Sequence, residues 1–355
     1  MAVNKQIFDT EKTRAIIEKG RRSKWWQRKG SKSRGFSYIG ASGKKIADDE
    51  RLERIASLVI PPAWRFVRIS PSPRSNIQAV GMDTTGRIQY IYDPKFTERQ
   101  QKKKFAKMEK FGDYLPTLRE TTNRDLSLEG FPRDKVLAVM LRLINSLYFR
   151  VGTEKSARHY KTYGITTLQN RHFSIGRNGQ LVFDFVGKSH IQHRKVLVDA
   201  ELAAVMKELK DLGGARKLFH YLDEQGKPRA VRPKELNDYL KAATAPEFSS
   251  KDFRTWGGTL MAAVELAEIG KPESESEIKK NVVRAVKRVA EQLGNTPAVC
   301  RSSYIHPAVI KTYESGLILD EFIPRRSRLI KLKQAGYEPE ETSLLRLLRS
   351  SNNGK

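Results

Sequence analysis

The chain has 355 residues, with 67 Lys and Arg against 40 Asp and Glu, for a net charge of +27 at neutral pH. That length supports two domains and a sizeable core. No apolar run reaches the roughly 18 residues of a membrane span. The start, Met1-Ala-Val-Asn-Lys-Gln, lacks the apolar stretch of a secretory signal, and the single cysteine, Cys300, excludes intramolecular disulfides and fits a reducing, cytoplasmic setting. The charge surplus attracts polyanions, nucleic acid foremost. Basic residues run along the whole chain rather than one amphipathic helix, which argues against a membrane surface.

Residues 1–18 read as a short amphipathic segment. From Lys19 to Ala47 there are ten Lys and Arg and no acidic residue, interleaved with Trp25, Trp26, Phe36 and Tyr38. Cations beside flat rings suit a surface that tracks a nucleic-acid backbone, whereas the plainer reading puts both tryptophans in a core. Asp49 to Leu58 reads as helix, ended by Pro61-Pro62. Strand-like runs follow at Phe66–Ile69, Ile77–Val80 and Arg87–Tyr92, with Asp83-Thr-Thr-Gly86 as a turn. Residues 1–93 are therefore expected to form a small β-rich domain, with Asp93-Pro94 as a hinge.

Beyond Pro94 the pattern turns helical. Lys95 to Phe111 is a basic helix. After Pro132, apolar residues from Val136 to Tyr148 fall at helical spacing, with Arg150 just past the helix end. A β meander is expected over Arg171–Ile175, Gln180–Val186 and Ile191–Val198, its second turn being Gly187-Lys188-Ser189-His190. Helices are then expected from Asp199 to about Leu209, near Pro233–Ala243, from a Ser249 or Ser250 cap to about Glu268, over Ser274–Leu293, and from Pro307 to about Ser315. Residues 325–333 are basic again, and the last dozen are expected to fray. The fold class is α+β: a small β-rich N-terminal domain (1–93), a mainly helical catalytic domain with a three-stranded meander (94–320), and a basic tail (321–355).

Several chemistries fail on the residues. His190 and His193 have H-x-x-H spacing, but in a strand and turn this sends the rings to opposite faces, so no metal site is expected. No acidic pattern suggests a two-metal nuclease. Gly187-Lys188-Ser189 lacks the leading glycine of a phosphate loop, since that place is Val182, and Gly43-Lys44 has Tyr38 there. No nucleotide cofactor is expected. What remains is a set of cations in unusual settings, Arg150, Lys188 and Arg254, ahead of a tyrosine nine residues after Asn295. An isolated arginine is most often a surface ion pair, so the set carries weight only together.

Together they resemble type IB DNA topoisomerases of the compact bacterial and viral branch. The resemblance rests on Tyr148-Phe-Arg150-Val-Gly, Tyr163-Gly-Ile-Thr-Thr-Leu-Gln-Asn-Arg-His172, Phe185-Val-Gly-Lys188, Lys251-Asp-Phe-Arg254-Thr-Trp and Asn295-Thr-Pro-Ala-Val-Cys-Arg-Ser-Ser-Tyr304, in order, over about residues 60–315. It implies that Tyr304 attacks a DNA phosphodiester and keeps the 3′ phosphate. Arg150 and Arg254 would clamp the non-bridging oxygens, and Lys188 would protonate the leaving 5′ oxygen. Asn295 stands where viral and nuclear enzymes have histidine; its amide donates a hydrogen bond but carries no charge. Ser156 replaces an aromatic DNA contact of the viral enzymes, so their strict site preference need not carry over. Gln89, Tyr90 and Tyr92 resemble DNA contacts of the same branch, and Lys251 is a further DNA-contact candidate.

The physics agrees with these roles. Planar guanidiniums meet two phosphate oxygens at once, and the same positive field favours phenolate. The implied enzyme relaxes supercoiled duplex DNA without ATP or metal, acts as a monomeric clamp of two lobes, and works in the cytoplasm at the nucleoid. The rival readings are a tyrosine site-specific recombinase, typically His-x-x-Arg where this chain has Lys251-Asp-Phe-Arg254, and a non-catalytic DNA-binding protein on the same fold.

Overall fold

A computed structural model of the chain describes residues 10–22, 24–213, 215–322 and 336–353. Contacts divide the chain into two units, residues 1–104 and 105–355. The division falls inside one helix, ten residues beyond Pro94.

In the first unit, β1 (Trp26–Ser31), β2 (Gly35–Ile39), β3 (Arg65–Ile69), β4 (Ile77–Met82) and β5 (Ile88–Tyr92) form an antiparallel sheet in the order β2-β1-β3-β4-β5. Strand alternation explains its two faces. Val67, Ile69 and Ala79 pack with Trp26, Ile46 and Ile55, the last on helix α2 (Asp49–Ser57). Val80 and Met82 point the other way, onto Ile16 of α1 (Thr10–Arg22). Trp26 is therefore core, and Trp25 packs half-buried beside Val80 and Met82. Part of the basic charge here is structural: the Arg28 guanidinium donates to Trp64 O at 2.7 Å and lies 4.3 Å from the Phe36 ring centre.

The second unit is mainly helical. Its helices are the end of α3 (Pro94–Asp113), α4 (Leu115–Leu126), α5 (Arg133–Leu147), α6 (Glu154–Tyr160), α7 (Ala200–Asp211), α8 (Pro233–Ala243), α9 (Asp252–Ile269), α10 (Glu275–Leu293), α11 (Pro297–Ser303), α12 (Pro307–Glu314) and α13 (Pro339–Asn353). The meander is β6 (Phe173–Ile175), β7 (Gln180–Val186) and β8 (Gln192–Val198), and β9 (His220–Leu222) pairs with β10 (Pro228–Ala230). The architecture is α+β, as the residue pattern indicates. Helices α5 and α9 are buried along most of their length, so apolar side chains surround them on nearly every face.

Two local expectations are corrected. The Ser249 or Ser250 cap of α9 is reversed: Lys251, already helical in its dihedrals, holds the cap position, and Asp252 Oδ2 accepts from the Ser249 N–H at 2.8 Å. Of the last dozen residues, those described, 344–353, belong to α13 rather than to a frayed end. Leu344, Leu345 and Leu348 make an apolar stripe at helical spacing and are buried in the main core. Arg119 of α4 holds Glu341 of α13 through two hydrogen bonds of 2.8 Å. The basic run at 325–333 lies outside the described residues. No helix among those described is long and apolar enough to cross a membrane.

Candidate active site

Arg150 owes its place to how α5 stops. Tyr148 takes a left-handed backbone (φ 56°) and its N–H closes the last turn on Ile144 O. The chain leaves extended, and Arg150 O accepts from Ile165 N while Val151 O accepts from Thr166 N. Gly152 and Gly164 permit this crossing: a Cβ on Gly164 would lie 2.5 Å from Arg150 O and 2.4 Å from Gly152 N. The close approach of Gly152 and Gly164 is therefore part of what fixes Arg150.

Arg254 sits one turn into α9 and is 4% exposed. Its terminal nitrogens donate to Tyr148 O at 2.7 Å and to Leu293 O at 2.8 Å, joining the ends of α5 and α10. Its Nε is buried with no hydrogen-bond partner among the described residues. Two adjacent glycines on the same helix admit the rest of the site. A Cβ on Gly257 would lie 2.0 Å from the Tyr148 ring, and one on Gly258 would lie 2.6 Å from Tyr304 O.

Tyr304 caps the C-terminus of α11, a short helix between α10 and α12. Its carbonyl accepts from Thr259 Oγ1 at 3.3 Å, and its ring centre lies 5.2 Å from the Arg254 guanidinium carbon. Burial alone would push the phenol pKa up. The charges of Arg254 and Arg150, with hydrogen bonds from both, outweigh that and hold it below the ordinary tyrosine value. Arg254 itself falls to about 10, first from burial and then from the Arg150 charge. It remains a cation at neutral pH.

Asn295 follows Gly294, whose left-handed backbone (φ 59°) ends α10. Arg150 donates to Asn295 Oδ1 at 2.6 Å. A guanidinium only donates, so the amide oxygen must face it, and Nδ2 is left without a hydrogen-bond partner among the described residues. Arg150, Arg254, Asn295 and Tyr304 thus converge. Lys188 does not join them by any contact: it is exposed on the β7–β8 turn, and no hydrogen bond or ion pair ties its amine to another described residue. The next two residues, Ser189 (φ 64°) and His190 (φ 58°), are both left-handed, a costly conformation for residues with side chains.

Two family models match separate parts of the chain. Residues 93–319 match the family described as eukaryotic DNA topoisomerase I, catalytic core, and residues 35–83 match the bacterial DNA topoisomerase IB N-terminal domain. DNA topoisomerase 1B of Acanthamoeba polyphaga mimivirus is 33% identical over 287 residues, covering 79% of this chain and 85% of that protein. The chain belongs to the type IB DNA topoisomerases. DNA topoisomerase 1B of Vaccinia virus (strain Copenhagen) is 22% identical over 244 residues, covering 68% of this chain and 74% of the viral one. DNA topoisomerase 1 of Schizosaccharomyces pombe is 29% identical over 175 residues, 48% of this chain and 20% of the yeast one.

In this type IB topoisomerase the remaining candidates lie at exposed positions or in local bonds. Lys251 is exposed at the start of α9. Tyr90 and Tyr92 share one side of edge strand β5, exposed, with rings stacked at 5.9 Å. Gln89 is half-buried and donates to Asp83 Oδ2 at 2.7 Å. Ser156 lies in the first turn of α6, its N–H donating to the Thr153 cap at 3.2 Å. Among the described residues no cluster of three or more His, Cys, Asp or Glu could hold a metal ion.

Two further side chains lie beside the site. Lys195 on β8 donates to Gln292 O at 2.9 Å, and burial, then Arg254, lowers its pKa to about 8. Cys300 is buried, which raises its thiol pKa against the opposing effects of Arg254, Asn295 and Arg150. Cys300 lies inside the Asn295–Tyr304 motif, whereas Lys195 sits in unremarkable strand sequence and only the folded contacts single it out.

Proposed function

We propose that Tyr304 is the nucleophile that cleaves one strand of duplex DNA, with Arg150, Arg254 and Asn295 holding the phosphate and Lys188 serving as general acid. The observation that carries this reading is the convergence of two arginines and a donor amide on one phenol. A cationic pair favours both phenolate and the charge that builds on the phosphate oxygens. Tyr304 Oη gives up its proton to solvent water and bonds to phosphorus, and the P–O5′ bond breaks. The 5′ oxygen leaves with a proton from Lys188, and the 3′ phosphate stays on Tyr304. The free 5′ end rotates and supercoils relax. The phosphotyrosine conserves the bond, so its attack by the same 5′ hydroxyl reseals the strand without ATP.

Duplex DNA is the substrate that the +27 charge favours. Exposed Tyr90 and Tyr92 offer ring faces to sugars or bases, and Lys251 offers a phosphate contact. The two-unit chain acts as a monomeric clamp at the nucleoid, in the cytoplasm. A covalent trap tests the assignment. A nicked duplex that loses a short 5′ fragment on cleavage is expected to leave its 3′ end on the tryptic peptide holding Tyr304; an adduct on another residue refutes it.

A further inference from the structure

His193 sits where three parts of the site meet. The β7–β8 register pairs it with Phe185, and the two rings lie 5.3 Å apart at 31°. Phe185 in turn packs 5.6 Å from Phe149, the residue before Arg150. The imidazole also touches two glycines. A Cβ on Gly187 would lie 2.5 Å from His193 Cδ2, and one on Gly294 would lie 2.2 Å from His193 Cε1. Gly187 immediately precedes Lys188, and Gly294 immediately precedes Asn295. No side chain fits at either position while the ring is there. Gly294 is doubly constrained, because its backbone is left-handed as well.

We propose that His193 is a positioning residue: its ring is the spacer between the Lys188 turn and the Asn295 turn, and so fixes where the acid stands relative to the phosphate site. The inference rests on the reading of Lys188 as the acid. Its ring makes no hydrogen bond to a described residue, so it works by shape. Lys195, Arg254 and Arg150 are the charges acting on it, and all are cations. Burial first, and then these three, lower its pKa to about 4, so the spacer stays neutral at working pH. A neutral ring adds no fourth positive charge. A smaller side chain would let the Lys188 turn drift, and an error of about 1 Å in a reacting group can cost roughly 100-fold in rate.

The test uses two duplex substrates that differ at the scissile 5′ position. One carries the normal oxygen; the other carries sulfur, a leaving group that needs no acid. Single-turnover cleavage is measured for the full-length wild type, Lys188→Ala and His193→Ala. We expect His193→Ala to slow the oxygen substrate about 10- to 100-fold and to cleave the sulfur substrate at close to the wild-type rate. A His193→Ala protein slowed equally on both substrates, or on neither, overturns the spacer role. If Lys188→Ala is not rescued by sulfur, the acid assignment falls and takes this inference with it. Rescue of Lys188→Ala without rescue of His193→Ala overturns the inference alone. Gly187→Ala provides a second variant should His193→Ala not fold. It pushes against the ring from the other side, so it is expected to slow the oxygen substrate selectively; equal slowing on both substrates counts against the spacer.

Discussion

The Arg150 guanidinium donates to the Asn295 side-chain oxygen at 2.6 Å, and this bond orients both groups. It turns Nδ2 away from Arg150, where it is buried beside Cys300 with a donor's chemistry. The amide is thus a link that steadies one cation and offers a hydrogen bond of its own.

Removing that link has a defined cost. Asn295→Ala loses a charge-assisted hydrogen bond, worth about 1.5–3 kcal/mol, so cleavage should slow roughly 10- to 100-fold. Asn295→His keeps a ring donor and should stay active. Asn295→Asp puts a negative charge where phosphate must bind and should be the slowest of the three. Single-turnover cleavage rates rank them; a large loss in Asn295→His would mean that the turn is packed for asparagine.

Arg254 has a structural and a chemical duty at once. Arg254→Lys keeps the charge but cannot reach Tyr148 O and Leu293 O with a planar fork. A buried acceptor left unpaired costs about 1–3 kcal/mol. Thermal melting should therefore fall together with cleavage, and cleavage should drop by about 100-fold or more. The pH at which Tyr304 ionises, followed by ultraviolet difference absorbance against Tyr304→Phe, should rise in Arg254→Gln, because the largest opposing charge is gone.

The glycine pair on α9 gives a steric test. Gly258→Ala would press a methyl against Tyr304 O, and Gly257→Ala would press one into the Tyr148 ring. Overpacking costs about 1–3 kcal/mol. Both variants should melt earlier. Gly258→Ala should also cleave more slowly at temperatures where it stays folded, since the strain bears on the nucleophile's own backbone. Wild-type rates in a folded Gly258→Ala would contradict the close approach.

Acid sensitivity should trace in part to His306. Its Nδ1 accepts from the Ala308 N–H at 3.1 Å, capping α12, and burial lowers its pKa to about 4. In the unfolded chain a histidine titrates near about 6.5. Between those values the unfolded state binds more protons, so this contribution is complete above the unfolded value and lost as pH falls toward 4. His193 acts in the same direction. His306→Asn keeps a capping oxygen that does not titrate, so its melting temperature should fall less steeply from pH 7 to pH 5 than the wild type's.

Much of the candidate site was legible because its residues sit in short, ordered motifs and because α10 carries clear helical periodicity, while α5 and α9 show as long apolar runs. The β1–β2 hairpin was not. Its inward positions include Arg28, whose buried guanidinium breaks the alternation of apolar residues. Helix α13 was hidden for a related reason: Glu340 and Glu341 are buried, and Glu341 pairs with Arg119, far away in sequence. His193 offered only its spacing to His190, which points to metals. The glycines it touches lie in distant segments, so its surroundings exist only after folding.

The most direct test of the account is plasmid relaxation in EDTA without ATP, comparing the wild type with Tyr304→Phe. The wild type should relax both positive and negative supercoils under those conditions. Tyr304→Phe should bind duplex DNA with similar affinity and leave the plasmid supercoiled, since only the hydroxyl that bonds to phosphorus is gone. Relaxation by Tyr304→Phe at a rate near the wild type's would contradict the central claim.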